Sequence, residues 1–528
     1  MSLPLADSHA AVTLTDVGYT WPDGSTALAG ITGSFGIGRT GLVGANGAGK
    51  STLLRLITAE LTATTGHIAT TGPVAYLPQL LTLDAETSIA ELLGVAERLA
   101  ALRAIEGGDA TEARFEAVGD DWDIESRADA ALRDIGFGSG DLDRRVAELS
   151  GGEVMLVALT GLRLAAAPIT LLDEPTNNLD RTARAQLARL VAEWPGALIV
   201  ASHDTALLEQ MDAIAELHDG RLTTFGGPYS AWRAHLDVEQ AAARTAARTA
   251  EQLVKVEKRQ RVEAETRLAR RNRAGETARR NKRAAKIVMN QNATNAQVSA
   301  GRLRANLDGR VRDAQAGLDA ASARVRHDEH IRVDLPDPQV PNSRRLAELP
   351  GADGPIIVQG PERIALDGPN GVGKTSLLRA LLAGDAGRLL TDRVGYLPQR
   401  LDHLDGAVSA FEAVSAVSGS TPQAVRAQLA RFLLDAECVA RPVGSLSGGE
   451  RFRVALAQLL LADPPPQLLL LDEPTNNLDQ ASVGQLVDAL GGYRGAFIVV
   501  SHDDEFLARL GLSRTLTMPR GGVLVDAS

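Results

Sequence analysis

The sequence predicts an α/β protein: two tandem P-loop domains joined by an antiparallel α-helical coiled-coil linker. Three observations predict it. A phosphate-binding loop of the form GxxxxGK[ST] occurs twice, as "GANGAGKS" (Gly44 to Ser51) and "GPNGVGKT" (Gly368 to Thr375). Four further motifs recur in one order behind each loop. Between the copies runs a long segment rich in Ala, Arg and Glu and free of proline, the composition of an extended helix.

The loops stand out by their lysines. Of 55 basic side chains only six are lysine, at 50, 255, 258, 282, 286 and 374, and Lys50 and Lys374 alone lie outside residues 238–330. A chain that otherwise chooses arginine keeps lysine where a compact ammonium must reach phosphates from inside a tight loop, a place too narrow for a planar guanidinium. The glycines let successive backbone N–H groups converge on phosphate, and the following helix points its positive end at it. Phosphate contacts are therefore expected from Gly44, Asn46, Gly47, Gly49, Lys50, Ser51 and Thr52, and from Gly368, Asn370, Gly371, Gly373, Lys374, Thr375 and Ser376. "RTGLV" before the first loop and "STLLRLI" after it read as a strand feeding a helix.

The repeat extends well beyond the loops. "YLPQ" occurs at Tyr76–Gln79 and Tyr396–Gln399, "LSGGE" at Leu149–Glu153 and Leu446–Glu450, "LLDEPTNNLD" at Leu171–Asp180 and Leu470–Asp479, and "SHD" at Ser202–Asp204 and Ser501–Asp503. The offset between copies is 297 at the LSGGE serine and 299 at the glutamate and histidine, so one domain is duplicated. From the YLPQ glutamine to the LSGGE serine the first copy runs 71 residues and the second 48, which predicts a small helical hairpin inserted at about residues 95–125. The expected domains are 1–237, 238–330 and 331–528.

This set of motifs resembles the ATP-binding cassette superfamily, with LSGGE separating it from other P-loop NTPases. The resemblance implies two cassettes paired head to tail, each ATP held between the P-loop of one and the LSGGE motif of the other. Site one would join Lys50 and Ser51 to Ser447, Gly448 and Gly449; site two would join Lys374 and Thr375 to Ser150, Gly151 and Gly152. Phosphoryl-transfer chemistry then assigns Mg²⁺ to Ser51 with Asp173 and to Thr375 with Asp472, Gln79 and Gln399 sensing the metal and the attacking water. Glu174 and Glu473 are the candidate bases, and His203 and His502 the candidate γ-phosphate contacts. Trp21 is a candidate platform for adenine, with Tyr19 as the alternative and core packing as the competing role.

The two sites are expected to be unequal. Cassette two opens with no aromatic residue to stack on adenine, and "LSGGEVMLVAL" in cassette one lacks the Arg451 and Arg453 that follow the second LSGGE. Both departures fall on site two.

Composition narrows the partners. The net charge is −11, yet residues 238–330 hold 21 Lys and Arg against 11 Asp and Glu, so an acidic body carries one basic element suited to a polyanion. Leu307, Val311, Ala314, Leu318, Ala321 and Val325 follow heptad spacing, as do Ala243, Ala246, Ala250 and Leu253 on the outgoing limb. Two helices of about 40 residues would reach about 60 Å. Nine cations against Glu276 alone lie between Arg267 and Lys286, which marks Arg279, Arg280, Lys282, Arg283 and Lys286 as candidate RNA contacts, and "KIVMNQNATNAQ" (Lys286–Gln297) would form or adjoin the tip. No aromatic residue occurs from Arg233 to Gly395, which excludes base stacking by this arm. A single cysteine, Cys438, excludes internal disulfides, and with no secretion signal and no membrane-length apolar run a cytoplasmic location is expected.

Two cassettes, "YSAW" leading into a charged linker and no membrane domain are together similar to the ABC-F family of translation ATPases. That resemblance implies a monomer whose ATP-bound form enters the ribosomal E site, with the linker reaching P-site tRNA and 23S rRNA, serving translation or antibiotic resistance. The alternatives are the ATPase subunit of a multicomponent drug exporter, for which the basic coiled coil has no evident use, and a DNA-repair or chromosome-organising ATPase. The last is disfavoured by the missing zinc cysteines and by cassettes that no very long coiled coil splits.

Overall fold

The computed structural model describes residues 10–79, 81, 84–138, 140–177, 179–280, 286–326, 335–476 and 478–526, the side chains of 275, 276 and 278–297 excepted. Two compact units result, one from both cassettes and one that begins at Ser230 and takes in the two long helices.

Each cassette is built on a six-stranded sheet of the same strand order. In the first it runs Val74–Leu77, Ile169–Asp173, Ala197–Ala201, Gly38–Val43, Ala213–His218, Arg221–Gly226, all parallel except the last pair. In the second it runs Val394–Leu397, Leu468–Asp472, Ala496–Val500, Arg363–Asp367, Arg514–Thr517, Val525–Asp526. Central parallel strands are covered on both faces, so they must be apolar throughout. Ile169–Asp173, Ala197–Ala201, Leu468–Asp472 and Ala496–Val500 are accordingly buried at every position. The acidic residue at the end of such a strand is thereby carried to the sheet's carboxyl edge, where ligands bind in open α/β sheets.

A second, antiparallel sheet differs between the copies. In cassette one its strands Thr26–Gly36, Ala10–Thr20 and Thr65–Thr70 have 11, 11 and 6 residues; in cassette two Ile356–Gln359, Arg345–Leu349 and Arg388–Leu389 have 4, 5 and 2. Pro336, Pro338, Pro341, Pro350 and Pro355 flank the short strands, and proline cannot donate to a ladder. The turn that carries Trp21 after the first strand is replaced by Pro350–Pro355.

Residues 95–125 contain two helices, Ala96–Glu106 and Glu112–Val118, with no counterpart among the described residues of cassette two, where Ala410–Ser415 is followed directly by Pro422–Arg431. Arg103 pairs with Glu125 of the next helix, Ile124–Asp134, and Arg98 with Asp121 in the turn that precedes it.

The linker helices are Tyr229–Arg280, 52 residues, and Lys286–Ser322, 37 residues, rather than two of about 40. They run antiparallel: Glu257 pairs with Arg310 at 2.7 Å, Arg261 with Asp308 at 2.9 Å, and Gln240 accepts from Arg326 N. The returning seam lies where heptad spacing puts it, with Leu307 and Ala314 buried and Val311, Leu318, Ala321 and Val325 half-buried. The outgoing seam needs correction. Ala246 is exposed and Leu253 is 51% exposed, whereas Gln240, Ala243, Ala247, Ala250, Val254 and Glu257 form the inner face. The stretch Lys286–Gln297 is helical backbone, the start of the returning helix. Of the proposed RNA contacts, Lys282 and Arg283 lie outside the described residues, and Arg279, Arg280 and Lys286 are placed on helix ends by backbone alone.

Candidate functional site

Each P-loop closes on its own lysine. Lys50 Nζ donates to Gly44 O at 2.7 Å and Ala45 O at 3.3 Å and lies 3.1 Å from His203 Nε2. Lys374 Nζ repeats this with Gly368 O at 2.5 Å, Pro369 O at 2.9 Å and His502 Nε2 at 3.2 Å. An ammonium has three donors, and two of them are used by carbonyls of its own loop. Glycine is required where the loop starts, because a Cβ on Gly44 would stand 2.5 Å from the Leu217 carbonyl oxygen. It is required again where the loop turns into the helix, where Gly49 and Gly373 hold φ of 96° and 101°. The helices that follow, Lys50–Ile57 and Lys374–Ala383, have no side-chain cap, so their first N–H groups remain for an anion.

Behind each loop stands an acidic pair. Asp173 and Asp472 end their strands, and Tyr76 and Tyr396 of the YLPQ motifs donate to them at 3.3 Å. Thr375 Oγ1 donates to Asp472 Oδ1 at 3.0 Å, and the Ser51 hydroxyl is turned to Asp173. Asp173 Oδ1 is buried with no hydrogen-bond partner. A hydroxyl beside a buried carboxylate with an orphaned oxygen fits a hard divalent cation that shares its shell with phosphate and water. Gln399 lines the same cavity as Thr375, and Gln79 occupies the matching position after Leu77 in cassette one.

The next residue is strained in both copies. Glu174 and Glu473 adopt φ of 49° and 47°, a left-handed conformation that costs non-glycine residues about 1–3 kcal/mol. Their amides donate to Ala201 O and Val500 O at 2.8 and 2.9 Å, which locks the turn to the neighbouring strand. Burial pushes both carboxyls up to about 7, against the pull of the nearby lysine. His203 and His502 lie 3.4 Å from them, and burial followed by the adjacent lysine holds both imidazoles well below their ordinary value, so they are neutral near pH 7. A base with a value near 7 must lose its proton to work. Accordingly kcat/KM for ATP is expected to rise as pH increases through about 7 and to level off above 8; a profile flat from pH 6 to 8 would remove these glutamates from the base role.

The two cassettes meet through residues that the motif reading left unassigned. Asp180 Oδ1 caps its own helix at Ala183 N while Oδ2 accepts from Asn370 N at 3.1 Å; Asp479 caps Ser482 N while Oδ2 accepts from Asn46 N at 2.8 Å. One carboxylate thus joins a helix start in one cassette to the P-loop of the other. The repeated "NNLD" was the available signal. Leu179 and Arg184 of cassette one also line a cavity of about 330 Å³ with Lys374, Glu473 and His502 of cassette two.

The LSGGE serines serve their own helices. Ser150 and Ser447 form capping boxes with Glu153 and Glu450, their hydroxyls accepting from the glutamate N–H at 3.3 Å. Ser150, Gly151, Ser447 and Gly448 are exposed, while Gly152 and Gly449 are buried at the first turn. Arg451 is exposed and Arg453 half-buried; their equivalents are Val154 and the buried Leu156. Trp21 is half-buried and meets Tyr19 edge-on, ring centroids 5.0 Å apart at 87°.

Comparison with known proteins agrees with the duplicated fold. Residues 36–177 and 356–476 each match the ABC transporter family. The chain is 32% identical over 515 residues to the tylosin resistance ATP-binding protein TlrC of Streptomyces fradiae, covering 89% of this chain and 90% of that one. It is 30% identical over 539 residues to the energy-dependent translational throttle protein EttA of Escherichia coli K12, covering 94% and 90%. The ATP-binding cassette sub-family F member 3 of Homo sapiens is 30% identical over 526 residues, covering 92% and 68%. Among solved structures, the archaeal ribosome recycling factor aABCE1, in complex with the stalk protein aP1, shares the fold at a TM-score of 0.57 and 19% identity over 97% of this chain and 89% of that one.

Proposed function

The chain belongs to the ABC-F family of ATP-binding cassette ATPases, and from that premise we propose that it binds the ribosome and modulates translation or protects it from ribosome-targeting antibiotics. ATP with Mg²⁺ would bind at the two P-loops, the metal held by Ser51, Asp173 and Gln79 in one site and by Thr375, Asp472 and Gln399 in the other. Bound there, the metal would supply positive charge to offset that of the phosphates, while Glu174 and Glu473 would orient water and the lysines and histidines would hold the phosphate in line. Binding would place the chain at the E site of a cytoplasmic ribosome, with Arg279, Arg280, Lys282, Arg283 and Lys286 directed to 23S rRNA and P-site tRNA.

The observation that carries this reading is the paired-helix unit that the chain inserts between its two cassettes. Its residues 267–286 hold nine Lys and Arg against Glu276 alone, a charge suited to a polyanion. Among the described residues no helix is long and apolar enough to cross a membrane. Co-sedimentation tests the proposal: with a non-hydrolysable ATP analogue the purified protein is expected to pellet with ribosomes through a cushion, and with ADP to remain in the supernatant. Pelleting with membrane vesicles and not with ribosomes would favour the exporter ATPase instead.

A further inference from the structure

The carbonyl of each active-site histidine is held from the opposite cassette, but by different chemistry. His203 O accepts from the Gln480 side-chain amide, Nε2, at 3.4 Å. His502 O accepts from Arg184 Nη1 at 3.3 Å. Arg184 and Val483 are equivalent positions, four residues beyond Asp180 and Asp479, so the second cassette offers the first site no cation there. Arg184 is anchored at two further points. Its Nε donates to Leu179 O at 3.1 Å, and Nη1 lies 3.4 Å from Asp204 Oδ2, next to His203. One guanidinium thus joins the segment that grips the second P-loop, the backbone of the histidine beside it, and the carboxylate following the first histidine. Three carbonyl and carboxylate partners in different directions suit a planar five-donor fork and no other side chain. A neighbouring arginine strengthens the same side: Arg181 pairs with Asp367, just before the second P-loop, and with Asp504, where cassette two has the neutral Gln480.

We propose that Arg184 is a positioning residue for ATP hydrolysis at the second P-loop, supplied by the opposite cassette and linked through Asp204 to the first site, and that the first P-loop has no equivalent. It acts through His502. With the carbonyl fixed, the imidazole is aimed so that Nε2 meets Lys374 Nζ at 3.2 Å, Asn370 Oδ1 at 3.1 Å and Glu473 Oε1 at 3.4 Å. The first site, lacking this cation, orients His203 more weakly.

The test isolates each site. In a Glu174→Gln protein only ATP at the second P-loop turns over, and there Arg184→Met is expected to lower kcat at least tenfold while KM for ATP changes less than threefold. Arg184→Lys keeps the charge but gathers its donors on one nitrogen, and should recover a third or more of the lost rate. In the Glu473→Gln protein, where the first P-loop turns over, the same Arg184→Met should cost several-fold less. An equal fall in both backgrounds overturns the proposal, as does a rise in KM with kcat intact. If Arg184→Met does not fold, Asp204→Asn serves, because it keeps the helix cap at Leu207 N and removes the charge; an unchanged kcat at the second P-loop would then overturn the link. The backgrounds rest on Glu174 and Glu473 as bases, and undiminished turnover in the Glu174→Gln, Glu473→Gln double variant would overturn that assignment separately.

Discussion

Replacing both glutamates, Glu174→Gln with Glu473→Gln, is expected to lower steady-state ATP hydrolysis by about 10²–10⁴-fold, the usual contribution of a positioned general base, while ATP binding stays within a few-fold of the parent. The P-loops, their lysines and the cross-cassette grip of Asp180 and Asp479 are untouched by the change. Glutamine fills the same volume, and the strained backbone at φ of 49° and 47° is held by amide bonds to the neighbouring strands rather than by the carboxylate. Nucleotide should therefore be retained with the cassettes closed. Expression of such a protein is expected to arrest growth as it accumulates on ribosomes. Filter-binding of ATP and single-turnover hydrolysis read the two effects separately; undiminished turnover would take both glutamates out of the mechanism.

The second large effect concerns the basic end of the linker. Neutralising Arg279, Arg280, Lys282, Arg283 and Lys286 together should weaken ribosome binding by more than about tenfold at physiological salt, with the slope of log K against log[salt] falling by roughly 0.7–0.9 for each phosphate that the arm no longer neutralises. Folding and basal ATPase should survive, because the helix-pair unit is compact in its own right and the seam residues Val254, Leu268, Leu307 and Ala314 are unaltered. Unchanged affinity at every salt concentration would return this segment to a solvated helix face. Loss of basal ATPase would instead show that the arm supports the cassettes.

Much of this protein was legible because its chemistry is written in short contiguous words. GxxxxGK[ST], LLDEPTNNLD and SHD each set several functional groups on one strand end or one loop, so a local reading places them together. The linker seam shows where local reading stops. On the outgoing helix alanine occupies 241, 242, 243, 246, 247 and 250, so several heptad phases satisfy the pattern equally. On the returning helix larger residues single out one phase. Only the partner's position selects Ala247 and Val254 over Ala246 and Leu253, because burial is a property of the pair.

By itself, the sequence determined the α/β class, the duplication, the long helical linker and the two P-loops with their lysines, since periodicity and loop chemistry are local physics. The tertiary structure decided the rest. It placed Glu174 and Glu473 in a left-handed turn and buried them until their carboxyls titrate near 7, a shift that comes from desolvation and cannot be read from neighbours in the chain. It also made the two sites chemically different at the cassette contact, where Arg184 reaches a carbonyl 318 positions away while Val483 cannot. Motifs identical in both copies conceal that difference, because it belongs to surfaces that meet only when the cassettes fold against each other.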